Sequence, residues 1–231
     1  MKYSWAFINR RSERNRLVIP GWSLLPHYFA RLFPTDNLII LNPFIAQKSH
    51  YEYLNNIQFN YEFIFKDKSI DQVLNDRIDS VFIFSMGLQW VLEHASQCID
   101  WPCDIVSPAI RYHHNELDHL ILSLKKSVPI TLKSFYRQCF YSHSEWLWWK
   151  QHMLNTHIEF NNSDTLIHWL EHYGRMEVTI PDLKETTIWF DPNDKIGIKP
   201  MINPKSLTIY SHLNGHILTD STINQLNAKL S

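Results

Sequence analysis

The chain has 231 residues, 45% hydrophobic and 14% aromatic, with a net charge of −1. That length suits one domain with a large core, and the lack of a basic excess excludes a protein that grips nucleic acid by neutralising phosphates. No run approaches 18 apolar residues and Met1–Arg11 lacks a signal-peptide pattern, so neither a membrane span nor export is expected; three cysteines, Cys98, Cys103 and Cys139, without metal-ligand spacing fit a reducing, cytoplasmic setting.

Short runs rich in β-branched and aromatic residues recur along the chain: Tyr3–Ile8, Arg16–Pro20, Leu38–Asn42, Ser80–Phe84, Asp104–Val106, Thr186–Phe190 and Leu207–Tyr210. They are apolar throughout, not alternating, which suits strands buried on both faces of a parallel sheet. Helix-length segments between them imply crossover connections and an α/β architecture. Only the polar turn Asn9–Asn15 separates the first run from the second, so the first is expected to be an antiparallel edge strand.

The strand pattern stops between about Pro108 and Pro181, where four helices are expected: Asn115–Lys126, Leu132–Tyr141, Glu145–Asn155 and Ser163–Tyr173. Ser163-Asp164 reads as an N-terminal cap and Gly174 as a C-terminal stop. Four helices between two strands of one sheet predict a helical lid over residues 108–181, inserted into a core made of 1–107 and 182–231. A closing helix is expected at Asn224–Leu230.

Chemistry concentrates at the ends of the strands. The apolar run Val81–Phe84 stops on Ser85, Gly87 follows two residues later, and a helical stretch begins at Leu88. Strand, tight turn with serine at its tip, then helix is the layout of a nucleophile elbow. Such a serine more often caps a helix or forms a turn, so its partners decide the matter. Leu17–Ile19 leads into Pro20-Gly21-Trp22-Ser23, a glycine turn that could turn the Trp22 N–H toward the site, with Trp22 as core packing the alternative. Met86, after the serine, would supply a second backbone donor. Ile188–Phe190 runs into a turn carrying Asp191 and Asp194, either of which could be the triad acid or an Asx turn. Thr208–Tyr210 precedes a loop with His212 and the pair Gly215-His216; among 13 histidines, His216 stands out by its position after the last strand.

The order Ser85, Asp194, His216, with Gly21-Trp22 and Phe84-Ser85-Met86-Gly87, resembles the α/β-hydrolase superfamily of serine esterases, and within it the pimeloyl-[acyl-carrier-protein] methyl ester esterases of biotin synthesis. The resemblance implies a mostly parallel sheet flanked by helices with an inserted helical lid. It places Gly21, Gly87 and Gly215 where that fold needs glycine, and makes Ser85 the nucleophile, His216 the base and Asp194 the acid. Trp22 and Met86 would form the oxyanion hole, with no cofactor and no metal. It implies a methyl ester on a carrier-bound acyl chain as substrate and an acidic acyl carrier protein as partner of a monomeric enzyme. Lys133 and Arg137, four apart on one helix, would meet the carrier, and Phe140 and Trp149 would meet the acyl chain. Two departures stand out: Ile83 occupies the place of the first elbow glycine, and Pro20 that of the usual histidine. His168 and His172 lie four apart, a spacing that can bind metal, yet no carboxylate or thiolate is evidently placed to complete a site. A thioesterase of the same fold, or an inactive binding protein built on it, would carry much the same pattern.

Overall fold

The structure is a computed structural model that describes residues 1–45, 48, 51, 63–179, 186–198 and 215–219, together with the backbone of 208–210. Its strands are β1 (Tyr3–Ile8), β2 (Asn15–Ile19), β3 (Asn37–Leu41), β4 (Ile64–Lys68), β5 (Ser80–Phe84), β6 (Cys103–Val106), β7 (Thr186–Trp189) and β8 (Thr208–Tyr210). They form one eight-stranded sheet in the order β4-β1-β3-β2-β5-β6-β7-β8. β3, β2, β5, β6, β7 and β8 are mutually parallel, and β1 runs antiparallel to both β3 and β4.

The central strands follow from their side chains. β5 is buried at all five positions and β6 at all four, so both faces of the sheet are covered and an unbroken apolar run is favoured. β1 is antiparallel as expected but is not the edge. It lies between β3 and β4, so β2, which follows it across the short turn, is not its neighbour in the sheet. The edge belongs to β4, whose sequence Ile64-Phe65-Lys66-Asp67-Lys68 is largely exposed and charged, a composition that discourages pairing with other chains. That polarity is also why the apolar-run criterion passes over it.

Helices described in full on the strand crossovers are α1 (Pro26–Leu32), α2 (Ile70–Leu74) and α3 (Gly87–His94). Between β6 and β7 come α4 (His114–Lys126), α5 (Val128–Gln138), α6 (His143–His152), α7 (Leu154–Phe160) and α8 (Ser163–His172). Among the described residues five helices thus replace the expected four, because the predicted Glu145–Asn155 helix breaks at Met153, which leaves helical geometry at φ −124°. The cap of α8 is Asn162, whose side chain accepts from the Thr165 N–H at 3.0 Å, one residue before the predicted Ser163. Gly174 ends that helix, its N–H donating to the Trp169 carbonyl at 3.1 Å. The expected helix at 224–230 lies outside the described residues. Among the described residues no helix is long and apolar enough to cross a membrane.

Because six strands are parallel, the segments after β2, β5, β6, β7 and β8 all emerge at the same carboxyl edge, where ligands of open α/β sheets bind. The described positions singled out for chemistry, Trp22, Ser85, Met86, Asp191, Asp194 and His216, all follow strands that end on that edge.

Candidate active site

The turn after β5 carries the most strained of these positions. Ser85 has φ +49°, a left-handed conformation that a residue with a Cβ adopts at a cost of roughly 1–3 kcal/mol. The surroundings hold it there: the Ser85 N–H donates to Val106 of β6 at 2.8 Å, and the Ser85 carbonyl accepts from the Leu88 N–H at 3.1 Å, in the first turn of α3. Ile83, at the place of the elbow's first glycine, is fully buried in register between Ile19 of β2 and Ile105 of β6. The sharp turn therefore forms with a bulky residue there.

Two glycines let the chain close around the serine. A Cβ on Gly87 would stand 2.6 Å from the Pro20 carbonyl oxygen and 2.8 Å from that of Ile19. A Cβ on Gly21 would stand 3.0 Å from Ser85 Cβ and 2.9 Å from Phe84 Cδ1. The Gly21-Trp22 turn is thus pressed against the elbow. It is pinned from the helical side as well: Trp22 Nε1 donates to Leu166 at 2.9 Å, its ring meets Phe135 edge-on at 4.8 Å, and the Ser23 carbonyl accepts from Tyr136 and from Asn161, each at 3.0 Å. Trp22 is therefore a packing residue on a turn that touches the elbow. Met86 is the N-cap of α3, so its own N–H precedes the helical ladder and has no intrahelical partner.

The turn after β7 separates the two aspartates by task. Asp194 Oδ2 lies 2.7 Å from His216 Nδ1, with both side chains almost wholly buried, and Asp194 Oδ1 accepts from the Ile196 N–H at 2.9 Å. Asp191 instead binds backbone, accepting from Asn193 at 2.8 Å and from Gly215 at 3.0 Å. The loop bearing His216 is also held at its main chain. Its N–H donates to Cys139 at the end of α5 at 2.9 Å, and its carbonyl accepts from the Ser107 hydroxyl at 2.9 Å. Gly215 has φ +115°, and a Cβ there would stand 2.6 Å from the Cys139 carbonyl oxygen, so a side chain would break this contact. His212, the neighbouring candidate, lies outside the described residues.

Ser85, Met86, Trp22 and His216 line one cavity of about 900 Å³, walled by α4 and α5 through Leu117, Leu120, Ile130 and Phe135. Arg137 and Phe140 line it too, and Lys195 stands on its far side in the sequence. Two other residues expected to meet substrate or carrier lie outside the cavity lining. Lys133 is exposed on α5 outside the lining. Trp149 is fully buried against Tyr28, Tyr136, Phe140 and His157, at ring-centre distances of 4.9 to 5.6 Å, and does not reach the cavity. His168 and His172 stack at 5.9 Å and His172 meets Glu93 at 2.8 Å, but among the described residues no group of three or more His, Cys, Asp or Glu could hold a metal. Sequence reasoning missed Ser107, which holds the His216 carbonyl, and Tyr112, whose hydroxyl lies 3.2 Å from Ser85 Oγ. Their one sequence signal is position, just past the end of β6 on the carboxyl edge.

Solved structures match this fold over nearly the whole chain. An esterase of Exiguobacterium antarcticum, EaEST, superposes with a TM-score of 0.66 at 16% identity, over 99% of this chain and 94% of its own. The hydrolase olei00960 of Oleispira antarctica does so at 0.65 and 12% identity, over 97% and 93%. The fold is that of the α/β-hydrolases. BioG of Haemophilus influenzae shares the α/β-hydrolase fold at a TM-score of 0.54 and 14% identity, over 92% of each chain. No family model and no curated protein matches the sequence.

Proposed function

We propose that this chain is a serine carboxylesterase that removes the methyl ester from an acyl chain carried by an acyl carrier protein. The observation that carries the hydrolase reading is the buried Asp194–His216 pair at 2.7 Å, facing the same cavity as a serine held at φ +49°. In this reading Ser85 Oγ attacks the ester carbonyl while His216 Nε2 takes its proton. Asp194 fixes the Nδ1–H tautomer and stabilises the imidazolium. The carbonyl oxygen, now an oxyanion, receives the N–H groups of Trp22 and Met86. His216 then protonates the departing methoxide, and methanol leaves an acyl-Ser85 ester. A water deprotonated by His216 hydrolyses that ester and restores the serine.

The substrate class rests on three further supports. The resemblance of the Gly21-Trp22 and Phe84–Gly87 motifs points to the pimeloyl-carrier esterases. The volume of about 900 Å³ and its aliphatic and aromatic walls suit a flexible acyl chain. The helical segment α4–α8 serves as the lid, and Arg137 on the cavity wall with Lys133 exposed four residues away on α5 offers positive charge to an acidic carrier.

The test is methanol release from pimeloyl-carrier methyl ester by the purified protein, with Ser85→Ala as control. Release abolished in the variant supports the reading. Release of free carrier thiol instead of methanol would make the protein a thioesterase of the same fold, and no labelling by a fluorophosphonate serine probe would make it an inactive binding protein.

A further inference from the structure

Ser85 Oγ has a partner that the triad does not supply. Among the described residues its hydrogen bond is to the hydroxyl of Tyr112, at 3.2 Å. Tyr112 is buried, lines the cavity beside Ser85 and His216, and is held there from several directions. Gln89 of α3 donates to the Ala109 carbonyl at 2.8 Å, and Val178 donates to that of Ile110 at 2.8 Å. Residues 110–111 exchange two 2.8 Å backbone bonds with Ile198. Gly197, at φ +72°, brings its backbone so near that a Cβ would stand 3.0 Å from Tyr112 Cε1. The main chain just before Tyr112 is thus anchored and Gly197 packs against the ring, which together hold the phenol beside Ser85.

A serine hydroxyl has one proton and two lone pairs. If it donated to the phenol, its proton would point away from the base. The phenol is the stronger acid of the two and so the better donor, and burial pushes its ionisation up, which keeps the proton on it. We propose that Tyr112 is a positioning residue for the nucleophile: its phenol donates to one lone pair of Ser85 Oγ, fixes the hydroxyl above the strained turn and leaves the serine's own proton for His216. No bond to Tyr112 is made or broken in the reaction. The proposal rests on the serine-esterase reading above.

The test uses Tyr112→Phe, which keeps the ring and removes the oxygen. Fluorophosphonate labelling of Ser85 is expected to slow about 10- to 100-fold, and kcat to fall by a similar factor with KM unchanged, the size of effect a misoriented reacting group produces. Unfolding midpoints of Tyr112→Phe, Ser85→Ala and the double variant are expected to be non-additive, since the two hydroxyls interact. Labelling as fast as wild type, or an additive cycle, overturns the proposal while leaving the esterase reading intact. Absence of labelling in the wild-type protein overturns the esterase reading itself, and the proposal with it. Should Tyr112→Phe fail to fold, 3,5-difluorotyrosine at position 112 keeps the shape and makes the phenol more acidic. Labelling should then decline at alkaline pH as the donor proton is lost, and a profile matching wild type overturns the proposal.

Discussion

Ser107 donates its hydroxyl to the backbone carbonyl of His216 at 2.9 Å, joining the end of β6 to the loop after β8. Ser107 is fully buried, so its removal leaves the His216 carbonyl without that donor in a dry site. Ser107→Ala is expected to lower stability by about 1–3 kcal/mol, the penalty for an unsatisfied buried acceptor. It should reduce kcat more than it changes KM, because the base shifts while the cavity wall does not. Denaturant unfolding and steady-state kinetics check both.

The two aspartates give opposite expectations. Asp194→Asn retains size but can present an amide N–H to His216 Nδ1, favouring the wrong tautomer, and kcat should fall about 10⁴-fold with the fold kept. Asp191→Asn still offers an oxygen to the Asn193 or Gly215 N–H, so its loss of kcat should stay within about tenfold while its unfolding midpoint drops, as expected for one weakened hydrogen bond. Equal kinetic losses would mean that Asp191 shares the acid's role.

Gly87→Ala tests the closeness of the elbow. The added methyl would meet two carbonyl oxygens of the β2 turn at 2.6 and 2.8 Å, neither of which can rotate away. The better helix propensity of alanine offsets at most about 1 kcal/mol, so a net loss of about 1–3 kcal/mol is expected. Labelling of Ser85 should slow as well, because the displaced turn carries the Trp22 N–H. A variant as stable and as reactive as wild type would contradict the packing described.

Acid stability should show the buried histidines. His157 accepts from the Leu25 N–H through Nε2 at 3.3 Å and meets the Met153 carbonyl through Nδ1 at 2.9 Å. Burial pushes its ionisation from 6.5 down to about 3, and burial also lowers His27 beside it. The unfolded chain takes up a proton below about 6.5 that native His157 refuses until about 3. Its contribution is therefore complete above pH 6.5 and is lost progressively as pH falls toward 3. His157→Gln, which can still accept from Leu25, should flatten the fall in unfolding midpoint between pH 6.5 and 4 relative to wild type. An unchanged slope would place the acid sensitivity elsewhere.

Much of the sheet was legible because its central strands are buried on both faces and read as largely apolar runs, as Val81–Phe84 shows. β4 was not, since Lys66, Asp67 and Lys68 hide an edge strand from any apolar-run criterion. The break at Met153 was hidden for a different reason: no glycine or proline marks it, and only the three-dimensional setting of His157 and Leu25 reveals what it accommodates. At the site, residue type and order singled out Ser85, Asp194 and His216 as candidates, because each follows the end of an apolar run in the succession serine, aspartate, histidine. Choosing Asp194 over Asp191 from spacing alone was not secure; the 2.7 Å contact to His216 separates them. Tyr112 and Ser107 reach Ser85 and His216 only in three dimensions, with no motif to announce them. Trp149 failed as a cavity residue because an aromatic on a helix reads alike whether it faces a ligand or the core.

The turn at Cys139-Phe140 has a consequence for how this protein can change. Phe140 walls the chamber and bridges to Gly215, while Cys139 holds the N–H of His216. One short piece of chain therefore shapes the cavity wall and anchors the main chain of His216, so neither can be remodelled there without disturbing the other. The opposite wall, through Leu117 and Leu120 of α4, offers a freer route for changing the shape of the cavity, since side chains can be exchanged there without touching the anchor of His216.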